Sequence, residues 1–79
     1  MCHVRAQIED GLIASERVAR VQTIDGIEEV FVSDRQVQNG HLIASSIHRT
    51  TDKVLVELPR ESTSGRWRVW VPAALVENA

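Results

Sequence analysis

Apolar and polar residues alternate along most of this chain, and short turn sequences interrupt the alternation at intervals of twelve to fifteen residues. These turn sequences are Asp10-Gly11, Asp25-Gly26, Asn39-Gly40, Thr51-Asp52 and Ser64-Gly65. Asp-Gly and Asn-Gly readily adopt the positive φ angles of tight hairpins, and such regular spacing suits an all-β barrel or sandwich. The pattern predicts an all-β fold in which a six-stranded antiparallel meander curls into a small barrel, with residues 1–79 forming a single domain.

The first apolar stretch predicts a strand. Val4, Ala6 and Ile8 alternate with polar residues, which places one apolar face toward a core. A helical period also connects Ile8 with Leu12, so residues 12–20 can be interpreted as strand or helix. The β-branched residues that follow Gly11 favour the strand.

The middle of the chain predicts two further hairpins. A two-residue loop at Asp25-Gly26 would place Val21 opposite Val30. Residues 34–39 allow either a single helical turn that begins near Ser33 or a hairpin whose tip is Asn39-Gly40. The hairpin is the favoured interpretation, with an irregularity near Asp34 and a fourth strand over residues 41–47.

The last hairpin has the most strongly specified register, because a slip of one residue would move its apolar side chains to the wrong face. Its predicted core-face pairs are Leu58 with Trp67, Val56 with Val69 and Val54 with Val71, and its other pairs are Glu57 with Arg68 and Leu55 with Trp70. Trp67 is therefore predicted to be buried and Trp70 to be less so. Pro72 lacks the N–H that a ladder needs and should end the strand. The helical turn predicted over residues 72–76 is similar to the tail of SH3-like domains, which implies an SH3-like barrel.

Length, charge and cysteine content narrow the class of protein. A chain of 79 residues buries only about 60–65% of its unfolded surface, so a homodimer is expected. The single cysteine cannot form an intrachain disulfide, which suits a reducing cytoplasm. A net charge of −2 makes nucleic acid an improbable general partner. The sequence has neither a secretory signal nor a stretch of about 20 apolar residues, so no membrane association is expected.

No catalytic signature is present, and we predict that the protein is not an enzyme. Motifs with Cys-x-x-Cys, His-Glu-x-x-His or Gly-x-Ser-x-Gly spacing are absent from the sequence. His41 and His48 are seven residues apart on one predicted strand and should face opposite sides, while His3 lies near the N-terminus. The three histidines are therefore not expected to converge.

Cys2 and His3 are the candidate metal ligands. If Met1 is removed, Cys2 carries both an amine and a thiol that can chelate a soft or borderline metal. If Met1 is retained, its amine, two backbone amides and the His3 imidazole could form a square-planar site for Cu(II) or Ni(II).

The Met-Cys start, the six predicted strands and the pattern of Gly40, Ile47 and Val54-Leu55-Val56 resemble the CooT-like family of small nickel-binding accessory proteins. The resemblance extends over about the first 58 residues. It implies a small β-barrel homodimer in which Cys2 is a ligand of Ni(II).

A second candidate surface combines basic and aromatic side chains. Arg66, Arg68 and Trp70 share one predicted face of the last strand, as in platforms on which nucleic-acid bases stack. Phe31 lies on the predicted outer face of its own hairpin and is a candidate for partner contacts. The sequence thus predicts a non-enzymatic binding or assembly module, with a nickel-binding accessory protein and a nucleic-acid-binding barrel as alternatives.

Overall fold

The computed structural model describes residues 1–78, in which the regular elements are strands and two 3₁₀ turns. The strands are β1 (Cys2–Arg5), β2 (Gln7–Asp10), β3 (Glu16–Thr23), β4 (Gly26–Ser33), β5 (Val37–Gln38), β6 (His41–Arg49), β7 (Lys53–Glu57), β8 (Arg68–Pro72) and β9 (Val76–Asn78). The 3₁₀ turns are Asp34–Gln36 and Ala73–Leu75. Neither turn, and no other segment of residues 1–78, is a helix with the length and apolar character needed to cross a bilayer. The all-β prediction is confirmed, and the predicted domain end at residue 79 lies outside the described residues.

The strands form two antiparallel sheets. The larger has the order β8-β7-β6-β1-β9, with β5 also paired to β6, and the smaller has the order β2-β3-β4. The first predicted strand is divided at Ala6, since β1 belongs to the larger sheet and β2 to the smaller one. This division and the short strands β5 and β9 explain why the structure has nine strand segments where six were predicted. Over residues 1–78, neither sheet closes on itself.

The core between the sheets is aliphatic and rich in valine. Its buried members are Cys2, Val4, Ala19, Val21, Val30, Val32, Leu42, Ala44, Val54, Val56, Leu58, Val69, Val71 and Val76. Backbone hydrogen bonds also join the sheets, from Ile24 N–H to the Trp70 carbonyl at 3.0 Å and from Thr63 N–H to the Glu29 carbonyl at 2.8 Å. Both tryptophans and Phe31 therefore lie outside the core.

The β3–β4 hairpin has a different register from the predicted one. Thr23 pairs with Gly26, so the loop consists of Ile24 and Asp25, and Val21 lies opposite Glu28. The Thr23 hydroxyl accepts the Asp25 N–H at 3.1 Å and donates to the Gly26 carbonyl at 2.7 Å, while Gly26 takes a φ of 125°. The shift is two residues, so each side chain keeps its predicted face.

The two ambiguous segments are both resolved by the structure. Of the ambiguous residues 12–20, residues 12–15 form a turn and residues 16–20 belong to strand β3, which confirms the strand interpretation for the second part only. After the 3₁₀ turn at Asp34–Gln36, β5 leads into a hairpin in which Asn39 and Gly40 have φ values of 52° and 78°. Both interpretations are thus present in part, since a short helical turn follows Ser33 and the favoured hairpin has its tip at Asn39-Gly40.

The last hairpin confirms the predicted register but not the predicted burial. Val54, Val56, Leu55 and Glu57 pair as expected with Val71, Val69, Trp70 and Arg68. The prediction that Trp67 is buried is wrong, because β8 begins only at Arg68 and the Trp67 side chain is 53% exposed. Trp70 is instead half-buried on the outer face. The predicted strand end at Pro72 and the helical turn after it are confirmed.

Candidate functional site

Cys2 lies in the core. Its side chain is 0% exposed, and its strand β1 is held between β6 and β9. Burial raises the pKa of the Cys2 thiol, against the opposing effect of the N-terminal ammonium group and of Arg49. The side chain of His3 lies on the other face of the same strand, because successive residues of a strand alternate. A metal site that uses both side chains would require the start of β1 to leave the sheet.

The predicted basic and aromatic platform is occupied by contacts within the chain. Arg68 Nε donates to Glu57 Oε1 at 3.1 Å. Arg66, which precedes β8, lies 3.6 Å from Asp25 and 3.8 Å from Glu28, measured between charged atoms. These guanidinium groups are already paired with carboxylates, so their charge is largely compensated where phosphates would have to bind.

Trp70 is covered from two sides. Lys53 Nζ lies 4.6 Å from the centroid of the indole, and the ring of His48 approaches it edge-on with a centroid separation of 6.2 Å. The Lys53 contact has the geometry of a cation–π interaction. A base that stacked on Trp70 would have to displace the Lys53 ammonium group from the ring.

Phe31 lies on β4 of the smaller sheet, whereas Arg68 and Trp70 lie on β8 of the larger one. Arg66 precedes β8 and pairs with Glu28 of β4. Phe31 projects from the outer face of β4, opposite Val18 of β3, and is 38% exposed. Ile27, on the same face of β4, is 63% exposed. The structure therefore divides the predicted binding surface into two separate regions.

Trp67 contributes to an open groove of about 410 Å³ that sequence reasoning missed. The groove lies where β6 changes partner, since β5 pairs with Leu42 and β7 pairs from Ser45 onward. Its lining residues are Met1, Arg35, Gln36, Ile43, Ala44, Ser45, Glu57, Leu58, Pro59 and Trp67. In the sequence, Trp67 lies at the end of a predicted strand and next to a polar loop, and this position could have indicated that its side chain is exposed.

The lining of the groove combines apolar and polar side chains. Trp67, Pro59 and Ile43 offer apolar surface, while Glu57 is engaged by Arg68 at 3.1 Å. Arg35 has no ion-pair partner among residues 1–78, so its guanidinium group is available to a ligand. We name this feature the Trp67 groove.

Two of the three histidines do come together. The rings of His3 and His41 have a centroid separation of 6.3 Å. Their strands β1 and β6 are neighbours in the larger sheet although they are distant in sequence. His48 lies apart from them, beside Trp70. The prediction that His41 and His48 face opposite sides is wrong, because the register of β6 shifts between Ser46 and His48 and so places His48 opposite Leu55 on the outer face. Glu77 of β9 completes a cluster of ionisable side chains around His41.

The structure thus contains a buried thiol, an open groove beside an exposed tryptophan and a histidine cluster. Comparisons with protein families, with curated proteins and with solved structures give no match to this chain.

Proposed function

We propose that this protein is a non-enzymatic binding module whose Trp67 groove holds an extended peptide segment of a partner protein. The observation that carries the proposal is the 53% exposure of the Trp67 indole at the wall of this groove. Tryptophan supplies a large apolar surface with one hydrogen-bond donor, and it dominates many binding interfaces. An occupied groove would remove that apolar surface from water.

The floor of the groove favours an extended ligand. Ile43 and Ala44 lie between the stretch of β6 that pairs with β5 and the stretch that pairs with β7. In an antiparallel strand, alternate residues direct their backbone N–H and C=O groups to opposite sides. One of these two residues therefore points its backbone groups away from β1 and toward the groove, where a peptide backbone can bond to them.

Arg35 indicates the charge of the ligand. Its guanidinium group lines the groove without a carboxylate partner among residues 1–78, and it can form a bidentate contact with a carboxylate. The preferred segment therefore places an apolar side chain on Trp67 and an acidic side chain near Arg35.

The proposal also includes an SH3-like barrel architecture, a homodimer and a cytoplasmic location. The chain passes between the two sheets at Ala6, and the Ile24–Trp70 and Thr63–Glu29 hydrogen bonds join them further, which supports an SH3-like barrel with open seams. Exposed Ile27 and Phe31 support a homodimer, and the single cysteine supports a cytoplasmic protein.

The CooT-like alternative, in which Cys2 binds Ni(II), needs a thiolate at a position where the thiol is buried and its pKa is raised. Metals bind the deprotonated thiol, so this alternative requires β1 to open at its start. The nucleic-acid alternative needs Arg66 and Arg68 to exchange their carboxylate partners for phosphates. Among residues 1–78, no contact favours either alternative over the peptide.

Screening of an immobilised library of nine-residue peptides tests the proposal. We expect selected peptides to contain an apolar residue close to an acidic one, and their binding to be lost in Trp67→Ala and weakened in Arg35→Ala. Trp70→Phe is the matched control, since Trp70 lies outside the groove. Peptides that bind Trp67→Ala as tightly as the parent protein would contradict the proposal, and so would a selected set without acidic or apolar preference.

A further inference from the structure

Four ionisable side chains meet on the outer face of strands β9, β1 and β6. His3 of β1 lies directly opposite Glu77 of β9, and Arg5 of β1 lies directly opposite His41 of β6. Side chains opposite each other in a ladder are neighbours, and diagonal positions are within reach of long side chains. Glu77 extends across β1, so that its Oε2 lies 3.6 Å from His41 Nε2 and 4.0 Å from Arg5 Nη2.

The contact of His41 with Asn39 determines where the proton of a neutral imidazole lies. His41 Nδ1 is 2.9 Å from the Asn39 carbonyl oxygen. A carbonyl oxygen only accepts hydrogen bonds, so Nδ1 must carry the proton that is donated. The other ring nitrogen, Nε2, is then left with a free lone pair.

That lone pair has no partner although it is shielded from water. Nε2 of His41 is buried and makes no hydrogen bond within residues 1–78. The atom that faces it is a carboxylate oxygen of Glu77, which is also an electron-pair donor. Two electron-pair donors that face each other in this way can both coordinate one metal ion.

The spacing of the two atoms suits a metal ion. Tetrahedral zinc binds imidazole nitrogen and carboxylate oxygen at about 2.0–2.2 Å, which places two ligand atoms roughly 3.4 Å apart. The observed separation of Nε2 and Oε2 is 3.6 Å. The Nδ1–H contact with the Asn39 carbonyl is the outer-shell interaction that commonly orients a metal-bound histidine.

His3 is the third ligand within reach. Two imidazoles on one tetrahedral ion have centroids about 5–6 Å apart by the same bond lengths, and the His3 and His41 centroids are 6.3 Å apart. As the side chains stand, the described residues include no group of three His, Cys, Asp or Glu side chains that is placed to hold a metal ion. A three-ligand site therefore requires the partly exposed His3 side chain to change rotamer when the ion binds.

We propose that His3, His41 and Glu77 bind a borderline divalent cation, Zn(II) or Ni(II), on the outer face of the larger sheet. Imidazole and carboxylate ligands suit these ions. The site is separate from the Trp67 groove and does not use the Cys2 thiol, which lies on the opposite face of β1. Arg5 competes for Glu77 in the absence of metal.

Calorimetric titration of tag-free protein with Zn(II), and Co(II) absorption spectra, test this site. We expect about one ion per chain, with affinity at least tenfold lower in His41→Gln and in Glu77→Gln, since each loses a ligand. His48→Gln is the matched control and should bind as the parent protein does. Arg5→Ala should bind equally well or more tightly, because it removes the competing cation. Circular dichroism checks that each variant is folded.

Two further variants separate this site from one built on the N-terminus. Cys2→Ser and a protein with a short Gly-Ser extension before Met1 should keep the affinity for Zn(II), because neither change touches the three ligands. Loss of binding in either of these folded variants, with His41→Gln unaffected, would overturn the proposal in favour of the amine and thiol. Absence of Zn(II) uptake at micromolar concentrations by the folded parent protein would also overturn it.

Discussion

Leu58 donates its backbone N–H to the Trp67 carbonyl at 2.8 Å, yet the two side chains end in different environments, with Leu58 2% exposed and Trp67 53% exposed. The hydrogen bond continues the β7–β8 register beyond the end of the ladder. A backbone hydrogen bond to a buried residue at a strand end therefore does not by itself bury the partner's side chain.

This difference in burial predicts that substitutions at the two positions change the free energy of unfolding by very different amounts. Trp67→Ala should change the free energy of unfolding by less than about 1 kcal/mol, because the indole lies largely in solvent. Leu58→Ala should cost about 2–5 kcal/mol, because it removes a buried side chain from the core. Urea unfolding followed by circular dichroism measures both values. A loss of several kcal/mol in Trp67→Ala would show that the indole packs against the core in solution.

The hydrogen bonds of the Glu28 carboxylate predict that the folded protein loses stability in acid. The Ser64 hydroxyl donates to Glu28 Oε1 at 2.6 Å, and this bond, with a further contribution from Ser62 and Arg66, lowers the pKa of the Glu28 carboxyl. A carboxyl whose pKa is lower in the folded state stabilises the protein above its ordinary pKa of about 4.3. That contribution is lost as the pH falls through the folded-state pKa.

The corresponding experiment compares urea midpoints at pH 7 and near pH 3. Glu28→Gln should lower the midpoint at pH 7 and should show a smaller further decrease in acid than the parent protein does. Ser64→Ala should have a similar effect, since it removes the donor that contributes most to the shift. Glu61→Gln, at an exposed position in the same loop, is the control. An identical acid response in Glu28→Gln and the parent protein would contradict the assignment.

Alternation of apolar and polar residues predicted the faces of the strands well. Val54, Val56, Val69 and Val71 are buried as expected, and even the two-residue register error at Asp25-Gly26 preserved the faces of β3 and β4. The same alternation contained an unused signal, because Cys2 shares the parity of Val4 and is buried with it. A strand's own pattern specifies its buried face.

The alternation of apolar and polar residues could not predict which strands, distant in sequence, lie next to each other in a sheet. The approach of His3 to His41 depends on the pairing of β1 with β6, which are separated by about half the chain. Glu77 joins them only because β9 adds to the other side of β1. The Trp67 groove likewise depends on where β5 and β7 each stop pairing with β6, which the spacing of turn residues does not specify.

Cys2 should react slowly with thiol reagents. The side chain is fully buried and burial raises the pKa of the thiol, so the reactive thiolate is scarce at neutral pH. Alkylation by iodoacetamide at pH 7.5 should become fast only at urea concentrations that unfold the chain. Mass spectrometry follows the reaction. Rapid alkylation of the folded protein would show that β1 opens readily at its start, as the Cys2-based nickel alternative requires.

The outer face of β4 predicts self-association. Ile27 and Phe31 are 63% and 38% exposed on the same face, and β4 is an edge strand of the smaller sheet. An exposed apolar edge strand invites pairing with a second copy, and two-fold symmetry would place Phe31 of both chains in one interface. Sedimentation at micromolar concentration should give a mass near twice the 8.8 kDa of one chain.

A charge placed in that interface should separate the subunits. Phe31→Glu should yield a folded monomer, because a carboxylate without a partner is costly to bury between two apolar surfaces. Ile47→Glu is the matched control, since Ile47 is 43% exposed but belongs to β6 of the other sheet. A parent protein that sediments at 8.8 kDa over a hundredfold range of concentration would contradict the prediction. Dissociation by Ile47→Glu alone would place the interface on the larger sheet instead, beside the strands that carry Leu55 and Trp70.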